Sequence, residues 1–362
     1  MLACAVVTFG GPHEVGAQSW NLVRESKFPL PTQITRPRSM ARLPDGTIAM
    51  LDVRAPFLHL VGPTGRHLGA LLGAGEGPGS ARMPMTIGAA GTDIWVWDPG
   101  NGRLTVLSPS GKVVREVPLR VEGSVSPLGP NRFLAVPLTA FGAGMDSVRT
   151  IRLAVLDSAG RTTATLFSYT DIVKSLVIPS VGGARVGRQP LRPSALPLSY
   201  PGEYGIAVVF PTVEDRGQGQ AFRLVRFSPS GALLFDKWIA FKGIPVGQHE
   251  IADALRLLSS GPDSSGPGRA RRVRAALAIP KYLAAASVGL LGPDGETWLR
   301  EFSLGPGGRR WFVVSGQGRV IGRIEVPMGE QVVGLLNGLI ATTSEDSNGE
   351  PELSLYRVVR RR

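Results

Sequence analysis

The sequence predicts an all-β fold, a six-bladed β-propeller of four-stranded antiparallel blades closed by its own N-terminal strand. Three observations predict it. First, a β-rich hairpin is written five times, at residues 57–72, 103–119, 152–167, 222–239 and 311–326, around the turns Thr64-Gly65, Ser110-Gly111, Ala159-Gly160, Ser230-Gly231 and Gln317-Gly318. Second, another turn series interleaves with the first, at Asp45-Gly46, Ala90-Gly91, Gly129-Pro130, Pro201-Gly202, Asp294-Gly295 and Asn337-Gly338. Two alternating turn series mean repeating four-stranded units, and a period of roughly 40–50 residues with that content is that of propeller blades. Third, residues 20–29 form a lone β-like run ahead of the first full repeat.

The blades follow in order. Blade one covers residues 34–72, with inner strands at 39–43 and 47–53. Blade two covers 85–119, and its second strand, Asp93-Ile94-Trp95-Val96-Trp97-Asp98, is the clearest in the chain. Blades three, four and five cover 125–169, 195–241 and 282–326. Blade six, 331–360, supplies only three strands, at 332–336, 339–343 and 353–359. The run 20–29 is therefore assigned as its outer strand, because closure removes exposed sheet edges. Two spacings break the period. Residues 170–193, with Gly182-Gly183 and repeated Pro, read as a loop. Residues 243–280 read as a helical hairpin inserted between blades four and five. Over 249–258, Ile251, Ala254, Leu255 and Leu258 share one face at helical spacing; 261–268 is a turn, and 269–277 is a basic, Ala-rich helix. The apolar face is expected to pack on the propeller, and a partner-binding helix is the sharper reading.

Length and composition set the bounds. All-β repeat folds often run long as one domain, so residues 19–362 are read as a single propeller behind a leader at 1–18. The 43% hydrophobic and 19% charged content excludes wholesale disorder. The formal charge is +12, with most positive residues Arg. A strong positive field can attract anionic partners, while codon usage in a high-GC genome gives the same bias. No aromatic-interleaved basic face of the kind used by single-strand binders is visible, which argues against nucleic acid. The single cysteine, Cys4, excludes an intrachain disulfide. Residues 2–11 are apolar, and Val15-Gly16-Ala17 resembles a small-residue cleavage site ahead of Gln18. That is the layout of a secretory signal without its basic start, so export to the periplasm, cell envelope or medium is expected. Leu2-Ala3-Cys4 faintly resembles an acylation site, which makes a lipid anchor at Cys4 a weaker expectation. No run after residue 18 is long and apolar enough to span a bilayer.

No convergent catalytic set appears, and no catalytic residue is assigned. His13 lies in the leader, His59 and His67 flank one turn of blade one, and His249 lies in the helical insertion. They read as surface residues rather than a three-histidine zinc site. Asp52 and Asp98 end the second strands of blades one and two. They are either channel-mouth ligands for a divalent cation such as calcium or, as we favour, acceptors for backbone amides of the following turn, with Asp157 a turn residue by the same argument. Residues 73–79 have the glycine density of a phosphate-cradling loop but lack a Gly-Lys-Ser/Thr ending and a following helix. Glu76 and Arg82 in that link would sit on an exposed rim and are ligand-contact candidates by location. Ser108 and Ser228 precede hairpin turns and read as turn formers, not nucleophiles. Trp95, Trp97, Trp238, Trp298 and Trp311 lie on strands and are expected to pack between blades.

From residue 34 to 119 the chain resembles the NHL-type six-bladed propellers. Gly73-Ala74-Gly75-Glu76-Gly77-Pro78-Gly79, followed by Met83-Pro84, matches the glycine-rich link. Residues 94–98, Asn101, Arg103, Val106 and Gly111 fall where that repeat carries its strand, acidic turn and closing glycine. In the C-terminal half the helical insertion, Ile279-Pro280 and Asp294-Gly295-Glu296-Thr297-Trp298 resemble uncharacterised exported six-bladed propeller proteins of soil bacteria. The resemblance implies the fold and not the function, because this architecture hosts binding scaffolds, lyases and lactonases alike. Lactonases of this shape use channel carboxylates and amides, and the lyases use histidines. A clear repeat without a catalytic set leads to the expectation of a non-catalytic binding or scaffold module, without a cofactor, that grips a protein, peptide or envelope polymer on one face. The alternative is a metal-dependent, lactonase-like hydrolase or lyase at the channel mouth. A third reading is a basic surface for anionic polymers.

Overall fold

The computed structural model describes residues 18–129, 131–137, 147–173, 175–180, 183–199, 205–217, 219–259, 269–292, 294–304, 308–336 and 338–360. Cys4, His13, the Val15-Gly16-Ala17 site, Pro130, Pro201-Gly202, the 261–268 turn and Asn337 lie outside them. The chain opens with β1 (Gln18–Ser19) and β2 (Asn21–Pro29). Blade one is β3 (Pro37–Arg42), β4 (Ile48–Asp52), β5 (Leu58–Val61) and β6 (His67–Leu71). A link follows in which β7 (Gly73–Ala74) pairs in parallel with β8 (Ser80–Ala81). Blade two is β9 (Thr86–Ala90), β10 (Asp93–Asp98), β11 (Arg103–Leu107) and β12 (Val113–Pro118), and blade three is β13 (Gly123–Gly129), β14 (Arg132–Pro137), β15 (Ser147–Leu156) and β16 (Thr162–Val173). After a hairpin of β17 (Ser175–Ser180) and β18 (Gly183–Arg188) comes blade four, β19 (Leu196–Ser199), β20 (Ile206–Arg216), β21 (Gly219–Phe227) and β22 (Leu233–Ala240). Helices α1 (Gln248–Ser259) and α2 (Arg269–Ala276) precede blade five, β23 (Ala286–Leu291), β24 (Thr297–Glu301), β25 (Arg310–Val314) and β26 (Val320–Glu325). β27 (Gln331–Leu336), β28 (Leu339–Glu345) and β29 (Pro351–Val359) make blade six.

The core shows why six such sheets close into a ring. A four-stranded sheet has two apolar faces and must cover both. Each face here meets the next blade. One apolar cluster joins blades one and two around Leu51 and Ile94, and others join two to three, three to four, four to five and five to six. The sixth joins blade six back to blade one through Phe28, Met50, Val61 and Leu353. The closing strand is β2, antiparallel to β29 from Asn21↔Val359 to Pro29↔Glu352, as the lone run predicts. That run does more than the sequence indicates. β1 pairs in parallel with β26 as a fifth strand of blade five, with Gln18 opposite Gly322. Trp20 crosses between the two blades, edge-on to Trp298 and pressed onto Gly322, where any Cβ would overlap its ring. The N-terminal segment thus laces blades five and six together.

The turn glycines have a second task besides positive φ. Gly65, Gly111, Gly160, Gly231 and Gly318 have φ between +75° and +91°, a region open to Gly at little cost. Sheet twist carries each of these outer turns toward the preceding blade. A Cβ on Gly111 would sit 2.9 Å from Leu71, and one on Gly65 would sit 2.7 Å from Phe28 of the closing strand. In every turn but that of Gly65, where the first residue is Gly62, the first turn residue is fixed by its side chain. Ser108 and Ser228 accept the amides of Lys112 and Ala232, and Asp157 accepts those of Ala159 and Arg161, as expected of turn formers.

Three expectations need correction. Residues 170–193 are not a loop: β16 runs on to Val173, and β17 and β18 form a hairpin in full antiparallel register. Its period-two residues Leu176 and Ile178 are buried against Val273 of α2, roughly a hundred residues later, so local turn signals concealed a strand that depends on tertiary contact. His59 is not a surface residue but fully buried on β5. Trp238 does not pack between blades. It is 41% exposed on an outer strand, with the Arg216 guanidinium stacked 3.8 Å from its ring centre. Trp95, Trp97, Trp298 and Trp311 are buried between blades as expected.

Candidate functional site

Antiparallel pairing sends the first-to-second and third-to-fourth strand turns to one end of each sheet. The second-to-third connections and the links between blades go to the other, here called the link end. Nearly everything beyond a minimal propeller lies at the link end: the extended tips of β15–β16 and β20–β21, the β17–β18 hairpin, both helices, and the β24–β25 connection.

These parts build a cap with its own core. Ile251, Ala254 and Leu277 are buried with Leu191, and Leu255, Leu258, Leu283, Phe302 and Leu304 pack around them. Val273, Leu176 and Ile178 form an adjoining cluster. The apolar face of α1 therefore rests on the 171–194 insertion, on α2 and on the connection that follows β24. Gln189, nearly buried, fixes the arrangement: its Nε2 donates to the Ala276 carbonyl and its Oε1 accepts from the Ala278 amide, both at 2.9 Å. At the base of the insertion the Asp215 carboxylate accepts from Lys281 Nζ at 2.6 Å and from Tyr282 Oη at 2.8 Å. These donors hold Asp215 below the usual carboxylate range and raise Lys281. The cap is thus strapped to blade four.

Asp52 and Asp98 also lie at the link end, and both are buried. Each holds the link that enters its own blade. Asp52 accepts the amides of Thr35, Arg36 and Val53, and Asp98 accepts those of Arg82 and Met83 at 2.9 Å and of Gly100 at 3.0 Å. The following turn supplies one donor in each case, and the link supplies two. A cation at either carboxylate would compete with three backbone amides for its oxygens. Among the described residues no group of three or more His, Cys, Asp or Glu is gathered as a metal site needs. The innermost strands β3, β9, β13, β19, β23 and β27, which line the centre of the ring, carry no Asp, Glu, His or Cys.

Glu76 and Arg82 pair with each other at 2.9 Å and are well exposed on the link-end rim. A pair so open to water adds little to stability and weakens with salt, so both remain accessible. The glycine-rich link is tied to blade two through its carbonyls: those of Gly77 and Ser80 accept from Arg103 Nη2 and that of Gly75 from Asn101 Nδ2. His59 Nδ1 lies 3.3 Å from His67 Nε2, close enough for one shared proton. Burial lowers the His59 pKa; the Asp52 charge and a hydrogen bond to Pro56 oppose this, and His67 adds to it. Sequence spacing alone did not reveal this pair. Residues eight apart across a tight hairpin are diagonal neighbours, and that geometry is the signal that could have found them.

No protein-family model matches the chain, and no curated protein matches it. Solved structures resemble it in shape. A DUF4221 family member from Bacteroides vulgatus is 10% identical, covering 95% of this chain and 100% of that one, with a TM-score of 0.53. Virginiamycin B lyase from Staphylococcus aureus is 10% identical over 94% of this chain and 100% of its own, with a TM-score of 0.42. BamB from Moraxella catarrhalis is 11% identical over 93% and 100%, with a TM-score of 0.35. The first likeness bears on the fold alone, and the other two carry no argument. Among the described residues no helix is long and apolar enough to cross a membrane.

Proposed function

We propose that the protein is an exported β-propeller, akin to the NHL-type propellers, that serves as a non-catalytic binding or scaffold module in the cell envelope. Its binding surface is the link end of the disc. One observation carries this reading: the chain's additions to a minimal propeller converge at one end of the sheets and share a core. Loops on a rigid scaffold are where binding residues concentrate. The partner class is a protein, peptide or envelope polymer, and Glu76 and Arg82 lie on the rim of the same end. Export rests on the small-residue site at Val15-Gly16-Ala17.

The test is retention of envelope extract on the immobilised full chain. Charge reversal at the link end, Arg82→Glu with Arg256→Glu, should lower retention without shifting the melting temperature. Reversal on outer turns at the opposite end, Arg66→Glu with Lys112→Glu, should leave it unchanged. Equal effects from both pairs would remove the reading. The metal-dependent hydrolase alternative draws on Asp52 and Asp98 and has its own test. One tightly held divalent ion per chain, with a melting temperature lowered by chelation, would favour it over the binding module.

A further inference from the structure

Residues 171–194 and 242–283 hold eleven Lys and Arg against four Asp and Glu, so +7 of the chain's formal +12 falls on these two insertions. Helix α2 concentrates it, with the sequence RARRVRAA and no acidic residue. Val273 and Ala276 turn inward against Leu176, Ile178, Leu255 and Leu258. The 3.6-residue period then leaves Arg271, Arg272, Arg274 and Ala275 on the outward arc, all exposed. Among the described residues none of the three guanidiniums forms an ion pair; Arg274 Nη2 reaches Gln248 Oε1 at 3.5 Å. Like charges one turn apart weaken a helix, and an external anion relieves the repulsion.

The chemistry of that anion can be narrowed. The one Phe, Trp or Tyr of the two insertions, Tyr282, is hydrogen-bonded to Asp215 at their base, and the helices carry none, so the outward face of α2 offers no platform for stacking bases. Among the described residues of the two insertions the exposed large apolar side chains are Ile244, Leu257 and Ile279, none of them on α2, so its outward face has no anchor for acyl chains. Arg271 and Arg272 lie in the first turn of α2 and Arg274 in its second, so the charge extends beyond the N-terminal amides, where a single phosphate would sit. Planar guanidiniums spread over one exposed face match successive carboxylates in forked pairs.

We propose that the outward face of α2 is a docking surface for an acidic polysaccharide, a linear polymer with repeating carboxylates. This rests on the link end being the binding surface and names the partner class. The test uses polygalacturonate and the full chain, with affinity measured over a range of salt. The R271Q/R272Q/R274Q triple variant should bind about tenfold or more weakly, with a salt slope reduced by roughly 2–3. A charge-matched control, R66Q/K112Q/R319Q, removes the same charge from outer turns and should keep affinity within about twofold. Unchanged melting temperatures confirm that both variants fold. Equal loss in the two variants would overturn the proposal, since net charge alone would then explain binding. Tighter binding to polyphosphate, duplex DNA or anionic vesicles than to polygalacturonate would also overturn it. If wild type ignores polygalacturonate while link-end variants still lose envelope material, the polysaccharide assignment falls and the binding face stands.

Discussion

Blades one and two are built from strands of four to six residues joined by short turns and links. Blades three and four reach twelve and eleven residues in a strand, and their links expand into a hairpin and two helices. The first pair shows what local rules suffice to make. A Gly at positive φ, a Ser or Asp at the turn and an Asp ending the second strand determine each part where it stands. The second pair carries the cap, held by contacts between segments far apart in sequence. The regular half serves as frame, and the elaborated half is where a partner would be met.

Breaking the frame should have the largest effect. Deleting residues 18–29 removes the outer strand of blade six, the fifth strand of blade five and the Trp20 crossing. An edge of six to nine backbone groups is then left open beside apolar surface. The loss should be roughly 5 kcal/mol or more, comparable to the whole stability of many domains, and thermal unfolding should lose its single cooperative transition. Asp98→Ala tests the regular half more gently. It strips three backbone amides of their acceptor, so about 2–4 kcal/mol should be lost in denaturant titration. Asp98→Asn, which keeps one acceptor, should lose less. The elaborated half should respond locally. Gln189→Ala removes both bonds that fix α2's C-terminal end, so amide exchange in α1, α2 and β17 should quicken, corresponding to about 1–3 kcal/mol. The inner strands of blades one and two should exchange as before. If they also quicken, cap and frame are one cooperative unit and the comparison fails.

The smallest effect is pH dependence at His59. Its folded pKa lies below the ordinary value, so the unfolded chain binds the proton more readily. Stability is then full above about pH 6.5 and declines as the pH falls below it. Groups facing His59 act in both directions: Asp52 and the Pro56 carbonyl favour its proton, and His67 disfavours it. His59→Gln should flatten the decline in stability measured between about pH 5 and 7. An unchanged slope would assign it to other groups.

The sequence revealed the parts governed by local rules. Gly111 and Ser108 can be read directly, because a tight turn and its capping side chain are specified within a few residues. The closing role of residues 20–29 was legible by counting strands, since blade six was one short. What remained hidden depends on distant partners. Leu176 and Ile178 look like loop residues until Val273 covers them. His59 looks exposed beside a turn until blade packing buries it. At the link end, the cap was legible only as two unrelated insertions. Gln189 gave no signal in sequence, because a buried bridging amide looks like any surface Gln.

The most direct measurement is hydrogen–deuterium exchange of the full chain with and without a solubilised envelope fraction. The account predicts slowed exchange confined to the link end, in the tips of β15–β16 and in β17, α1 and α2. Protection centred instead on the outer turns around Gly65, Gly111 and Gly318, with none in the cap, would contradict it.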